Sequence, residues 1–364
     1  MSASLRHQVG QLMIAGLEGP ELTSTERAWL KLIRPAGVIL FRRNVEEAAQ
    51  TMQLLREATE ISGSPNFRCV DIEGGLVDRL RDLIAPMPSP TAVYAARRPA
   101  LFKKHGQLIA REARTLGFNT VFAPVLDLAL PASASVMRTR TVSAEPAEVV
   151  TYAAAFLEGF AAEAAIGCGK HFPGLGGGNL DSHQAMPVIH RSWEEMWQKD
   201  IAPFRALNAQ LPMIMVAHAA YPRASGSALP ASISKFWITE VLRGRIHYKG
   251  LVISDDMEMG GILTQRSIED AAIEAIAAGT DLLEICKDPA LILRAYEALL
   301  SEAERSPFFR RRVLRAAGRV FRCKEEVKLI QPLKRPSSQL LDNLRRRVRN
   351  FAHSVETYSQ LSRR

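Results

Sequence analysis

Apolar residues fall along this chain in short runs of about five, separated by longer stretches where they recur every three or four positions. Runs of that length between amphipathic helical stretches predict parallel strands covered on both faces. The runs occupy residues 12–16, 37–41, 67–71, 120–123, 167–171, 213–218, 251–255 and 281–286, eight in all. Helices are predicted between them at 45–61, 99–116, 146–164, 192–207 and 267–278. The last opens on Ser267, suited to an N-cap, with Glu269 and Asp270 in the first turn, where exposed amides favour negative charge. Eight such units are the count of a closed (β/α)8 barrel of the α/β class. The alternative is a doubly wound open sheet, but no GxGxxG follows an early strand, so its dinucleotide version lacks the phosphate loop.

The pattern changes near the end. Residues 333–338 read Leu-Lys-Arg-Pro-Ser-Ser, a linker interrupted by Pro336. Beyond it Leu341, Leu344, Val348, Phe351, Val355 and Tyr358 form one face of a helix, with Arg345, Arg346, Arg347 and Arg349 mostly elsewhere. The expected organisation is therefore a barrel over residues 1–330 and a basic helical extension over 331–364. The extension's apolar face is expected to pack on the barrel rather than on a second copy. No repeat of fixed period and no low-complexity tract is present.

Composition adds bounds to this picture. With 364 residues, 47% hydrophobic, the chain can form a self-sufficient core. Cys69, Cys168, Cys286 and Cys323 show no CxxC spacing and mostly sit in apolar runs, which argues against a zinc site or a disulfide framework. No basic segment followed by an apolar run opens the chain, and no stretch nears the roughly 20 apolar residues of a membrane span. A cytoplasmic protein is expected. The net charge of +9 is uneven: residues 305–364 carry 17 Lys/Arg against 4 Asp/Glu, leaving the first 304 residues at −4. The basicity thus belongs to the tail and reads first as a solvated helical face, not as a nucleic-acid site.

Ionisable residues gather where the predicted strands end: Asp71 at the third, Lys170 and His171 at the fifth, His218 at the sixth, Asp255 and Asp256 at the seventh, with Asp127 soon after the fourth. In a (β/α)8 barrel those ends form the active-site face. A carboxylate closing a buried strand, as Asp255 does, is a fixed and partly desolvated nucleophile, although one of the Asp255–Asp256 pair can equally cap the next helix. Residues 170–183 are glycine-rich in the middle and predict a mobile loop over the barrel mouth. The loop carries Asp181 and His183 two apart, so in extended chain both side chains face one way, and a carboxylate beside an imidazole suits general acid–base work. A metal-dependent hydrolase built on Asp71, His171, His218 and Asp255 is the competing reading, without an HxH strand or an HExxH helix to support it.

Four segments then occur in order: residues 71–79 (Asp-Ile-Glu-Gly-Gly-Leu-Val-Asp-Arg), 122–127 (Phe-Ala-Pro-Val-Leu-Asp), 170–183 from Lys-His-Phe-Pro-Gly to Asp-Ser-His, and 253–257 (Ile-Ser-Asp-Asp-Met). Together they resemble glycoside hydrolase family 3, in particular its single-domain bacterial β-N-acetylglucosaminidases of peptidoglycan recycling. The resemblance spans about residues 9–300. It implies retaining double displacement with Asp255 as nucleophile, His183 as acid/base and Asp181 as its partner. It also implies sugar contacts from Asp71, Arg79, Arg140, Lys170 and His171, to which strand-end position adds His218. No metal or organic cofactor is implied, and the expected substrate is an N-acetylglucosaminide such as a muropeptide fragment. The chain departs from its relatives at Ile72, Leu76 and Leu175, where they usually carry Gln, Arg and His, and at Met137-Arg-Thr-Arg-Thr141, where they commonly carry a Gly-x-Arg-Ser pattern.

Overall fold

The computed structural model describes residues 3–63, 65–180, 185–327 and 335–362. Eight parallel strands close into a barrel: β1 Met13–Gly16, β2 Gly37–Leu40, β3 Phe67–Val70, β4 Thr120–Val121, β5 Ile166–Phe172, β6 Met213–Val216, β7 Leu251–Asp256 and β8 Leu282–Ile285. Each strand lies between its two neighbours in sequence, and β8 pairs with β1 through Met13 opposite Leu283. All eight predicted strands are present. Period-two alternation sends Ile14, Ile39, Phe67, Cys69, Ile166, Cys168, Met213, Met215, Leu251, Ile253 and Leu282 into one interior cluster, a packed centre rather than a pore.

The covering helices include α1 Ser24–Ile33, α2 Ala48–Ser62, α3 Pro99–Thr115, α4 Pro146–Ala162, α5 Ile268–Ala278, α6 Pro289–Arg305, α7 Pro307–Glu326 and α8 Ser338–Leu361. Helix α5 is capped by Ser267, whose side chain accepts from the Asp270 amide, as its sequence predicts. The predicted helix over 192–207 is instead broken. Its middle, Met196–Asp200, widens to i→i+5 bonding between the short helices Trp193–Glu195 and Ala202–Leu207. Pro203 has no amide proton to continue an α ladder there. The wide turn also buries Asp200, which accepts from Arg191 Nε at 2.7 Å.

Helix α8 packs on the barrel wall against α3 and against the short helix Pro90–Ala95, burying Leu344, Val348, Phe351 and Val355. Leu341 is only half-buried and Tyr358 is exposed, so the apolar face is shorter than the sequence suggests. Among the described residues no helix is long and apolar enough to cross a membrane.

Helix α7 closes the N-terminal end of the barrel. Val320 joins the interior cluster, and Lys324 Nζ donates to Gln11 Oε1 at 2.7 Å beside the Phe67 ring. Burial pushes the Lys324 ammonium down to about 7. The unfolded chain then binds more protons than the folded one between that value and the ordinary lysine value of ~10.4, so this group's contribution to stability rises with pH through that window. Lys324→Met is expected to raise the thermal midpoint at pH 6–7, with the gap to wild type narrowing toward pH 9. A gap that stays constant from pH 6 to 9 would show that Lys324 keeps its charge in the folded protein.

Candidate active site

The C-terminal ends of the strands surround a pocket walled in part by Phe41, Asp71, Arg79, Arg140, Lys170, His171, Leu175 and Asp255. Its acidic side begins where β3 stops. Asp71 follows Val70, and the chain then folds into a small antiparallel hairpin of Ile72–Gly74 and Val77–Asp78. The hairpin turns through Gly74 at φ +92°, where a Cβ would also lie 2.2 Å from the Pro88 carbonyl oxygen. Only glycine meets both demands. Beyond it, Asp78 accepts from the Leu80 and Met87 amides at 3.1 and 3.0 Å, fixing the segment that carries Arg79. The Arg79 guanidinium lies near the Phe41 ring, and its buried Nε has no hydrogen-bond partner among the described residues.

Glu73 organises the floor. It is 1% exposed and accepts two hydrogen bonds from Arg140, each 2.8 Å, while Lys170 Nζ lies 2.8 Å from Glu73 Oε1 and 2.8 Å from Asp71 Oδ1. Burial would push the Glu73 carboxyl up, but Arg140 and Lys170 outweigh it and hold it well below the usual carboxylate range. Burial likewise lowers the Lys170 ammonium, and Asp71 and Glu73 more than reverse that. Both groups stay charged at neutral pH. The result is a rigid lattice that leaves Asp71 and Lys170 presented toward the pocket.

His171 is held from below. Its Nδ1 lies 2.7 Å from Asp127 Oδ2, and its Nε2 lies 3.4 Å from Arg140 Nη2. The second Asp127 oxygen accepts from the Leu175 amide at 2.7 Å, tying the start of the glycine-rich loop to the same carboxylate. In the described part of that loop residues 173–178 are buried or half-buried, whereas Asn179 and Leu180 are exposed. A Cβ at Gly176 would lie 2.6 Å from the Leu128 carbonyl oxygen, so glycine here serves close packing rather than freedom. Asp181 and His183 lie outside the described residues.

At the end of β7 the paired carboxylates part company. Burial pushes the Asp255 carboxyl up, but His171, His218 and Lys170 outweigh it and keep the group below its ordinary value. Burial raises Asp256 to about 7. Asp256 Oδ1 accepts from the Glu258 amide at 3.0 Å, so this residue shapes the turn, and Asp255 is the ionised carboxylate. His218, expected as a sugar contact, lies behind the Asp255–Asp256 pair. It is fully buried and off the pocket wall, with Nδ1 2.7 Å from Ser232 Oγ and Nε2 donating to the Asp256 carbonyl at 3.0 Å. Of the departures from the resembled pattern, Leu175 and Met137 line the pocket, whereas Ile72 is core and Leu76 is exposed beside α8. Among the described residues no group of three His, Cys, Asp or Glu side chains is arranged as metal ligands.

The chain matches the Glycosyl hydrolase family 3 N terminal domain over residues 4–323. It belongs to that family. A Beta-hexosaminidase of Idiomarina loihiensis is 35% identical over 301 residues, covering 81% of this chain and 89% of the relative. One from Pseudomonas aeruginosa is 36% identical over 292 residues, covering 80% and 86%. Among solved structures, a family 3 beta-N-acetylglucosaminidase from Paenibacillus sp. str. FPU-7 superposes with a TM-score of 0.90 at 29% identity, over 97% of this chain and 69% of its own. A Beta-N-acetylhexosaminidase from Beutenbergia cavernae superposes at 0.79 with 26% identity, over 89% and 99%. Family membership makes the chain a glycosidase acting on carbohydrate. Glu73 and Asp127, which stand inside the segments 71–79 and 122–127, join the site only through the structure.

Proposed function

We propose that this glycosidase removes terminal β-linked N-acetylglucosamine with retention of configuration, using Asp255 as nucleophile and His183 as acid/base. The observation that carries the reading is one recessed, ionised carboxylate, Asp255, in the pocket that also presents Asp71, Arg79, Lys170 and His171. The similarity to a hexosaminidase and to an N-acetylglucosaminidase favours this sugar.

In the proposed cycle protonated His183 gives its proton to the leaving oxygen while Asp255 attacks the anomeric carbon. The imidazole, oriented by Asp181, then takes a proton from water, which hydrolyses the glycosyl-enzyme. Asp71 accepts from sugar hydroxyls, and Arg79, Arg140, Lys170 and His171 bind around them. Peptidoglycan fragments are the proposed natural substrates and the cytoplasm the proposed compartment, in keeping with four free cysteines. Residues 1–330 are taken as the catalytic barrel and 331–364 as its extension.

Release of 4-nitrophenol from its β-N-acetylglucosaminide tests the function, with the β-glucoside and β-xyloside beside it. Preference for either of the latter would transfer the reading to another sugar. His183→Ala is expected to lower turnover of a disaccharide substrate by about 10²–10⁴-fold and of the nitrophenyl glycoside by much less. The nitrophenolate leaves without needing a proton. Equal losses on both substrates would remove His183 from the acid role.

A further inference from the structure

Strand β8 carries one carboxylic acid in the apolar run Leu282-Leu-Glu-Ile-Cys286, and Glu284 points along the inward parity set by Leu282. The side chain is 3% exposed yet forms part of the pocket wall. Four groups face it closely: Asp71 beyond β3, Asp255 and Asp256 on β7, and Cys286 on its own strand. Cys69 of β3 and Cys168 of β5 lie near it in the barrel centre. Three carboxyl neighbours and burial make a further anion there unfavourable, and the group is held in its neutral acid form, well above the usual glutamate range.

Cys286 Sγ donates to Glu284 Oε1 at 3.0 Å, so Oε1 has a partner and the acid proton is assigned to Oε2. That Oε2 is buried with no partner among the described residues. An unmet buried donor is destabilising, and Leu or Val would suit β8 better for stability alone. The cost is explained if a ligand in the pocket supplies the acceptor.

We propose that Glu284 is a specificity-determining residue of the sugar subsite, its Oε2 hydroxyl donating a hydrogen bond to one hydroxyl oxygen of the bound terminal sugar. The same sugar hydroxyl then donates onward to a neighbouring carboxylate such as Asp71. A hydroxyl both accepts and donates, so it fits between a neutral acid and an ionised one, whereas an ether oxygen serves only the acid's side and a methylene serves neither. The inference rests on the reading of this pocket as the glycoside site.

The test compares wild type, Glu284→Gln and Glu284→Leu on 4-nitrophenyl β-N-acetylglucosaminide and on its monodeoxy analogues, with thermal midpoints measured alongside. Glu284→Leu is expected to lose about 10- to 100-fold in kcat/KM on the parent glycoside while melting at or above wild type. Glu284→Gln, whose amide N–H takes the place of the acid hydroxyl, is expected to stay within a few-fold. On one deoxy analogue, the one lacking the recognised hydroxyl, wild type and Glu284→Leu become equal. Equal losses on every analogue with a lowered midpoint would overturn the proposal in favour of a purely structural role, and so would an absence of loss on all of them. If wild type prefers another aryl glycoside, the sugar assignment fails, and the same comparison on that glycoside still decides Glu284. If no glycoside turns over, calorimetric titration with N-acetylglucosamine and glucose replaces the rates, and equal affinities for wild type and Glu284→Leu overturn the proposal.

Discussion

Asp255→Ala is expected to lower kcat on 4-nitrophenyl β-N-acetylglucosaminide by on the order of 10⁴-fold or more, the scale on which loss of a covalent nucleophile acts. The expectation comes from the contrast between adjacent carboxyls. Asp255 is ionised in a setting where burial alone would neutralise it, because His171, His218 and Lys170 favour its charge. Asp256, raised to about 7, has an oxygen engaged by the Glu258 amide and its carbonyl by His218. Asp256→Asn is therefore expected to cost far less than Asp255→Ala. A chemical rescue separates loss of the nucleophile from loss of shape. Azide occupying the space vacated in Asp255→Ala attacks the anomeric carbon from the same face, nitrophenolate leaves, and an α-glycosyl azide forms. Recovery of rate with that product identifies the face from which Asp255 acts. Turnover unchanged in Asp255→Ala would remove the assignment altogether.

How far the site could be read from sequence follows from strand parity. Cys69 and Asp71, Cys168 and Lys170, Ile253 and Asp255, and Leu282 and Glu284 are two apart, so each polar residue continues an inward row upward into the pocket. The same rule, applied to the Met213 and Met215 row, sends His218 off the inward face, toward Ser232, a direction that strand-end position alone does not give. His171 breaks the parity of its strand, where the register with β6 shifts between Gly169 and Phe172, yet it lines the pocket. The eight strands themselves were legible because each is a short apolar run between turn residues. The wide turn at Met196–Asp200 was not, since the apolar spacing of 192–207 suits a regular helix equally well. Nor was the role of Glu73. It stands 67 positions from Arg140 in the chain, and no local pattern announces that the segments following β3 and β4 bring them to one point.

That long-range cluster makes Glu73→Ala the second large effect expected. Removal of the carboxylate leaves Arg140 and Lys170 buried with one anion fewer between them, and breaking a buried pair in this way costs about 3–5 kcal/mol of stability. Activity should fall further than stability, because Lys170 and Asp71 then lose the partner that fixes their direction into the pocket. The pH dependence has a definite sign. Glu73 is held well below its ordinary value in the folded protein, so its contribution is fully present above the unfolded glutamate value of ~4.3 and declines as pH falls below it. The stability gap between wild type and Glu73→Gln is therefore expected to be constant from pH 6 to 8 and to narrow in acid. A paired replacement distinguishes the two jobs of the cluster. Glu73→Leu combined with Arg140→Met removes one charge of each sign, leaves the Lys170–Asp71 pair intact, and is expected to recover most of the lost stability in a denaturant titration. Its kcat/KM is expected to stay low, since the guanidinium beside His171 is gone and Lys170 keeps only one of its two anchors. Recovery of activity together with stability would show that the cluster merely holds the barrel closed; stability without activity assigns it to orienting the sugar.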